Sequence, residues 1–174
     1  MRIVRLRFHG ITRDPDEMIR KSAGPWYYEQ LELGFNYRMT DIQAALGLSQ
    51  LKLLEEFVDR RKEIARRYDH SLSNLSVTKQ KVSTDIQSSR HLYVIRVPKQ
   101  EHHSLFETLR REGICVNLHY TPVHLQPYYR NLGFQEGDYP EAKSYGYEAI
   151  SLPIYPDLTN GEQNYVIGTL KKHI

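Results

Sequence analysis

Between Asp41 and about Leu72, apolar residues recur every three or four positions: Ile42, Leu46, Leu53, Phe57, Ile64, Tyr68 and Leu72. That spacing predicts an α-helix. Thr40 stands at the N-cap position, and Gln43, three residues on, completes a capping-box pattern. A helix of this span is about 45 Å long at 1.5 Å per residue. It is expected to link two bodies or to run along one side of a subunit.

The two halves of this stretch differ. Residues 42–54 read IQAALGLSQLKLL, with Ala44, Leu48, Leu51 and Leu54 forming a second stripe beside the first. A helix apolar on nearly every side is expected to be buried, in a core or against another subunit. The second half is amphipathic. Its basic run (Arg60, Arg61, Lys62, Arg66 and Arg67) reads as a solvated face, with Lys52–Glu56 and Glu63–Arg67 pairs four residues apart. The polar loop Gly34-Phe35-Asn36-Tyr37-Arg38 leads directly into the apolar half. Loops held on rigid elements are where function concentrates.

Elsewhere the pattern is of short elements. MRIVRLRF at 1–8 alternates apolar and basic residues and, read alone, predicts a short strand. Turn signals at Asp14-Pro15 and Gly24-Pro25 bound a loop-rich region, in which WYYEQLELG could cross as a short strand. Trp26 and its neighbouring tyrosines suit interface packing, or a sugar face. Residues 76–90 read as a polar loop, and HLYVIRVP as a strand ended by Pro98. Ser104–Glu112 predicts an amphipathic helix with Leu105, Phe106 and Leu109 inward, closed by Gly113. A strand is expected at 114–120, a helix at 140–149 started by Pro140, and a strand at 150–154. A last helix covers 159–174, with a Thr159/Glu162 capping box and with Tyr165, Ile167 and Leu170 inward. The sum is an α+β chain: a long helix followed by a small sheet covered by helices.

Composition narrows the class. A 40% hydrophobic and 26% charged chain of 174 residues is that of a globular protein, and a net charge of +3 gives no argument for nucleic acid. No apolar run of about 18 residues predicts a membrane span. The single cysteine, Cys115, excludes an internal disulfide, suits a reducing cytoplasm and is expected to be buried and inert within ICVNL. Thirteen tyrosines suit a polar cleft or an interface, where a ring packs and a hydroxyl finds a partner.

Few residues group into candidate chemistry. His119 and His124 flank Thr121-Pro122 in HYTPVH, but no third ligand follows at metal spacing, so no metal is expected. His102-His103 opens a helix and reads as solvated. No Ser-His-Asp, Cys-His or glycine-rich phosphate pattern stands out. Asn36-Tyr37-Arg38 before a helix start offers an amide and a guanidinium donor toward an anion.

GFNYRMTDIQAALGLSQLKLLEEFVDRRKEIARRY resembles the matching stretch of the DegT/DnrJ/EryC1/StrS sugar aminotransferases. FHGITRDPDEM, GICVNLHYTPVHLQPYYRNLGF and AISLPIYPDLT resemble the same family in the same order, with Phe8 standing where serine is usual. These are pyridoxal 5′-phosphate (PLP) enzymes that aminate keto groups of nucleotide-linked sugars, usually with glutamate as amine donor. The nearest branch by resemblance is the UDP-4-amino-4,6-dideoxy-N-acetyl-β-L-altrosamine transaminases of pseudaminic acid synthesis.

The resemblance implies the small C-terminal domain of a fold-type I PLP enzyme, behind a connecting helix. The large domain, with its Schiff-base lysine, is expected to lie outside this sequence. On that view residues 1–39 are the end of the large domain and an interface loop, 40–72 the connecting helix, and 73–174 the small domain. The resemblance also turns residues 1–8 into a helix leading to His9-Gly10. It gives Asn36 and Arg38 to the cofactor phosphate, Asn36 reaching a partner subunit's PLP. His9, Tyr37, His119, Tyr120 and His124 go to the nucleotide-sugar substrate, and no residue here is catalytic. A homodimer or higher oligomer through helix 42–54 is expected, with a separate N-terminal half as a further possible partner. The alternative is a non-catalytic, dimerising interaction module derived from such an enzyme.

Overall fold

The computed structural model describes residues 2–174, leaving Met1 of the 1–8 run outside the described residues. The chain forms two compact units, Met1–Lys52 and Leu53–Ile174. Each is built differently.

The first unit holds α1 (Arg2–Leu6), a two-stranded ribbon of β1 (Ile11–Thr12) and β2 (Glu29–Gln30), and α2 (Asp41–Leu51). Residues 2–6 are therefore helical, as the family resemblance implies and as their alternation taken alone does not. The ribbon is antiparallel, with Ile11 opposite Gln30. The Thr40 cap of α2 forms as expected: its side chain accepts from the Gln43 amide while the Gln43 side chain returns to the Thr40 backbone.

The helix expected over 40–72 is divided. Helix α2 ends at Leu51, and α3 runs over Leu54–Ser71. The backbone of Leu53 sits at φ −97°, ψ 0°, off the helical minimum, and this interrupts the hydrogen-bond ladder between them. The boundary between the two units falls at the same point.

The apolar surface of α2 is uncovered within this chain. Ile42 is 83% exposed, Leu48 65% and Leu51 63%. The first unit has no second layer to set against that face, so of the two burials expected for residues 42–54, in a core or against another subunit, the first is not met inside that unit.

The second unit is a three-stranded antiparallel sheet in the order β3 (Thr78–Lys79), β4 (Tyr93–Arg96), β5 (Ala149–Leu152). Around it pack α3, α4 (Lys99–Arg111), α6 (Pro140–Glu148) and α7 (Asn160–His173), with the short α5 (Pro127–Asn131) in the connection. Ile64, Tyr68 and Leu72 of α3, Tyr93 and Ile95 of β4, Leu105 and Leu109 of α4, Ile150 and Leu152 of β5, and Val166, Ile167 and Leu170 of α7 make one continuous core. Three-residue and four-residue spacing on the helices meets alternation on β4, so each element turns one face inward.

Several readings change at side-chain level. The strand expected over 114–120 reduces to a single bridge, Asn117 opposite Ser151. Ile114 and Val116 do point inward there, so Cys115 between them faces outward and is exposed, not buried. Tyr165, expected inside α7, is 52% exposed and donates its hydroxyl to Glu112, while Val166 takes the inner position.

His102 is half-buried, its Nε2 3.0 Å from the Ala149 carbonyl oxygen, and is not the solvated residue expected. The basic run of α3 is likewise more than a solvated face. Arg60 donates to the Leu158 carbonyl, Arg61 to that of His91, and Arg67 to Asn160, Gln163 and Asn164 at the start of α7. Arg60–Glu63 and Lys62–Asp59 pair three residues apart. Neither pair expected four apart forms among the described residues; for Glu63–Arg67 the reason is that Arg60 takes Glu63 while Asn160, Gln163 and Asn164 take the Arg67 guanidinium.

Two buried tyrosines give the core a pH limit. Tyr68 donates its hydroxyl to the Pro153 carbonyl at 3.0 Å, and Tyr93 donates to Asp69 at 2.8 Å. Burial raises the Tyr68 phenol above its ordinary value, and burial followed by the Asp69 bond raises that of Tyr93. Folded values above the unfolded value of about 10 mean that this stabilisation is complete below about pH 10 and is lost as pH rises through the folded values. Urea midpoints measured from neutral to strongly alkaline pH are expected to fall steeply above that point. The Tyr68→Phe/Tyr93→Phe double variant should show a shallower fall.

Candidate functional site

In the first unit, two segments are laid side by side. The amide of Phe35 donates to Leu6 O at 2.7 Å, that of His9 to Phe35 O at 2.8 Å and that of Tyr37 to Arg7 O at 3.0 Å. These bonds bring His9 together with Asn36, Tyr37 and Arg38. Gly34 permits the approach: a Cβ there would lie 2.2 Å from the Gly10 nitrogen and 2.6 Å from the His9 carbonyl carbon. His9 (φ 56°) and Gly10 (φ 73°) both take the left-handed conformation that turns the chain out of α1.

Ion pairs brace the turn from beneath. Arg5 meets Glu32 at 2.8 Å and Glu17 at 3.3 Å, and Arg2 meets Glu32 at 3.0 Å. The hydrogen bond from Arg5, opposed by desolvation, holds the Glu32 carboxyl below its usual value.

On this frame the candidate side chains are exposed. The Asn36 carboxamide makes no hydrogen bond among the described residues, so its NH₂ is available as a donor. Arg38 lies over the Phe8 ring, its guanidinium carbon 4.4 Å from the centroid, and Tyr37 stacks on Phe35 at 4.9 Å. The Phe8 ring thus gives the Arg38 cation a face to rest on. An amide and a guanidinium beside a capped helix start form a donor set that fits a phosphate.

In the second unit, the HYTPVH loop leaves the sheet at the Asn117–Ser151 bridge, where the Ser151 amide donates to Asn117 O at 2.8 Å and the Asn117 amide to Ser151 O at 3.2 Å. Two residues on, Nδ1 of His119 lies 2.8 Å from the Ser151 hydroxyl. Tyr120 is 71% exposed, its ring edge-on to His119 at 4.8 Å. The loop then packs on α6, where a Cβ on Gly146 would reach within 2.6 Å of Pro122.

His124 goes elsewhere. It is buried against Tyr139 at 5.0 Å, and its Nε2 has no hydrogen-bond partner among the described residues. The structure therefore places Tyr120 at the surface, His119 half-buried beside it and His124 in a packed aromatic lobe. No group of three metal-binding side chains occurs among the described residues. Ser151 is absent from the sequence-predicted set. Its signal was a lone hydroxyl in the otherwise apolar run AISLPI.

The sequence model of the DegT/DnrJ/EryC1/StrS aminotransferase family matches residues 1–171. The chain belongs to the DegT/DnrJ/EryC1/StrS aminotransferase family. The spore coat polysaccharide biosynthesis protein SpsC of Bacillus subtilis is 36% identical over 173 residues, covering 95% of this chain and 44% of that protein. The PMP-form of Spr1654 from Streptococcus pneumoniae superposes with a TM-score of 0.87 at 35% identity, over 97% of this chain and 43% of that one. PseC of Helicobacter pylori, an aminotransferase involved in the biosynthesis of pseudoaminic acid, superposes with a TM-score of 0.85 at 27% identity, over 98% and 44%. The chain spans less than half the length of each.

The fold is thus the mixed α+β fold of part of a PLP aminotransferase, and PLP is the family's cofactor, seen as PLP and PMP in the Spr1654 structures. No helix among the described residues is long and apolar enough to cross a membrane.

The Asn36 amide and the Arg38 guanidinium fit the phosphate end of that cofactor. Every described lysine is exposed or only half-buried. Lys79 donates to the Asp69 carbonyl at 2.7 Å. Lys143 is paired with Glu136, and that hydrogen bond raises its pKa and favours the ammonium. A lysine that attacks a carbonyl needs the opposite, a free amine held by burial or by neighbouring cations.

Proposed function

We propose that this chain is the small-domain half of a PLP-dependent aminotransferase that aminates a nucleotide-linked 4-keto sugar, with glutamate as the amine source. The match along residues 1–171, over less than half of each relative, carries the reading. A UDP-linked sugar of the altrosamine branch is the favoured substrate; the similarity to PseC supports it. PLP, when bound, supplies the electron sink for amino transfer.

This chain's own residues do the holding. The Asn36 NH₂ and the Arg38 guanidinium donate to the cofactor phosphate, Asn36 across a homodimer interface. His9 and Tyr37, on the turn beside them, and His119 and Tyr120, on the second unit's loop, contact the nucleotide sugar. His124 supports that loop from inside. The exposed lysines leave the covalent link to the cofactor to an upstream half, in the same polypeptide or a separate one, and the setting is the cytoplasm.

Amino transfer from glutamate to a UDP-4-keto sugar, assayed with PLP, is expected to need this chain and an upstream large-domain polypeptide together. The Asn36→Ala variant should weaken PLP binding of the reconstituted enzyme by about tenfold, the effect of removing one charge-assisted hydrogen bond. Turnover by this chain alone would contradict the proposal.

The exposed α2 face favours a second reading, an interaction module that self-associates through residues 42–54 without catalysis. That reading predicts oligomers of the isolated chain by light scattering and no turnover in the reconstituted mixture. A monomer at micromolar concentration removes it.

A further inference from the structure

We infer that Ser151 is a positioning residue that fixes the tautomer of the His119 imidazole as Nε2–H, presenting a hydrogen-bond donor to an oxygen of the substrate. The inference rests on the reading that the HYTPVH loop borders the nucleotide sugar. It deepens that reading by assigning one loop residue a chemical role.

Two separated sequence motifs meet here. HYTPVH supplies the imidazole and AISLPIYP supplies the hydroxyl, 32 residues away. The meeting is fixed by backbone, because Asn117 and Ser151 exchange both of their amide hydrogen bonds. Ser151 is 4% exposed, at the centre of a strand whose other residues are buried. It cannot swing to solvent, so its rotamer and its partner are set by the fold.

The direction of the bond follows from what the hydroxyl can reach. Among the described residues, Ser151 Oγ has one hydrogen-bonding partner, Nδ1 of His119. A serine hydroxyl carries one proton and can accept as well. If Nδ1 carried the proton and donated, the hydroxyl proton would be left buried with no acceptor, the costly arrangement. If the hydroxyl donates, its proton is satisfied and Nδ1 is the bare nitrogen. The remaining ring proton then sits on Nε2, a tautomer assigned from the network.

Nε2 makes no hydrogen bond to the described residues, yet it is not among the buried atoms lacking a partner, so it reaches solvent. The Tyr120 ring stands perpendicular to the imidazole, with 4.8 Å between the ring centres. The result is a directed N–H held on the loop by the sheet. It matches an acceptor such as a sugar hydroxyl, a keto oxygen or a diphosphate oxygen. It mismatches a group that can only donate, such as an ammonium.

Long-range ¹H–¹⁵N spectra of histidine-labelled chain, at a pH where imidazole is neutral, report the tautomer without any activity assay. The expected result is an Nε2–H pattern for His119 in excess of about tenfold. Ser151→Ala should give a ring with averaged tautomers and greater mobility, and Ser151→Thr should restore the wild-type pattern. An Nδ1–H pattern in the wild-type chain overturns the inference without recourse to a variant. An unchanged His119 spectrum in a folded Ser151→Ala chain overturns the positioning role.

In the reconstituted enzyme, Ser151→Ala is expected to raise KM for the nucleotide sugar and leave KM for glutamate unchanged. If the tautomer is as expected but His119→Ala leaves nucleotide-sugar affinity unchanged, the substrate reading of the loop fails and the Ser151–His119 geometry stands.

Discussion

Gly34→Ala is expected to abolish the ordered pairing of residues 34–37 with residues 6–10, while the second unit stays folded. The cause is steric. The added methyl would stand 2.2 Å from Gly10 N, 2.6 Å from His9 C and 2.8 Å from Leu6 O. All three are backbone atoms on the facing segment, so no side chain can rotate aside. Relief requires the two segments to separate, which breaks the bonds from Phe35 to Leu6 and from Tyr37 to Arg7. The cost is expected to exceed about 4 kcal/mol, beyond the range of ordinary single substitutions. Amide exchange checks this directly: protection at Phe35 and Tyr37 should vanish, while protection at Val94 and Ile95 of β4 should be retained. Since Asn36 and Arg38 ride on this pairing, the grip on the cofactor phosphate proposed for them should fail with it. Unchanged protection at Phe35 would contradict the steric argument.

The largest expected effect in the second unit is at Leu109. It is fully buried on α4, within the core that joins α3, the sheet and α7. Leu109→Ala removes apolar contacts and leaves a cavity that the surrounding helices and sheet only partly close. The expected loss is about 2–5 kcal/mol. It should appear as a lower urea midpoint with little change in slope. The matched control is Leu48→Ala. Leu48 is 65% exposed on α2, so in the isolated chain the change should be within about 0.5 kcal/mol. If α2 is covered in an assembled enzyme, the same control should instead weaken assembly. A loss below about 1 kcal/mol for Leu109→Ala would contradict the core described here.

What was legible in the sequence was mostly local. Both capping boxes, at Thr40/Gln43 and Thr159/Glu162, formed as read because each needs only a four-residue segment. Gly113 closes the α4 segment in a left-handed conformation for the same reason. The inward face of α3 followed from its period.

The misreadings share a different cause. The break at Leu53 carries no proline or glycine to announce it. The basic run on α3 was read against its own helix, yet its acceptors lie on residues 91 and 158–164. Cys115 was assigned from its apolar neighbours, whereas alternation turns it outward. The segment 114–120 had the composition of a strand, but it pairs with β5 only at Asn117. Of the candidate site, the capped helix start that follows Arg38 was legible from its pattern. The Ser151–His119 contact was not, since no local pattern joins residues so far apart.

The central claim is that this chain holds the cofactor's phosphate and the substrate loop but supplies no lysine to the cofactor. The most direct measurement is absorbance between 300 and 450 nm on the purified chain with added PLP, followed by borohydride reduction and peptide mapping. The account predicts no stable band and no stoichiometric modification of a single lysine. A reducible adduct at one lysine, in one-to-one stoichiometry, would contradict it and would place a complete cofactor site within these 174 residues.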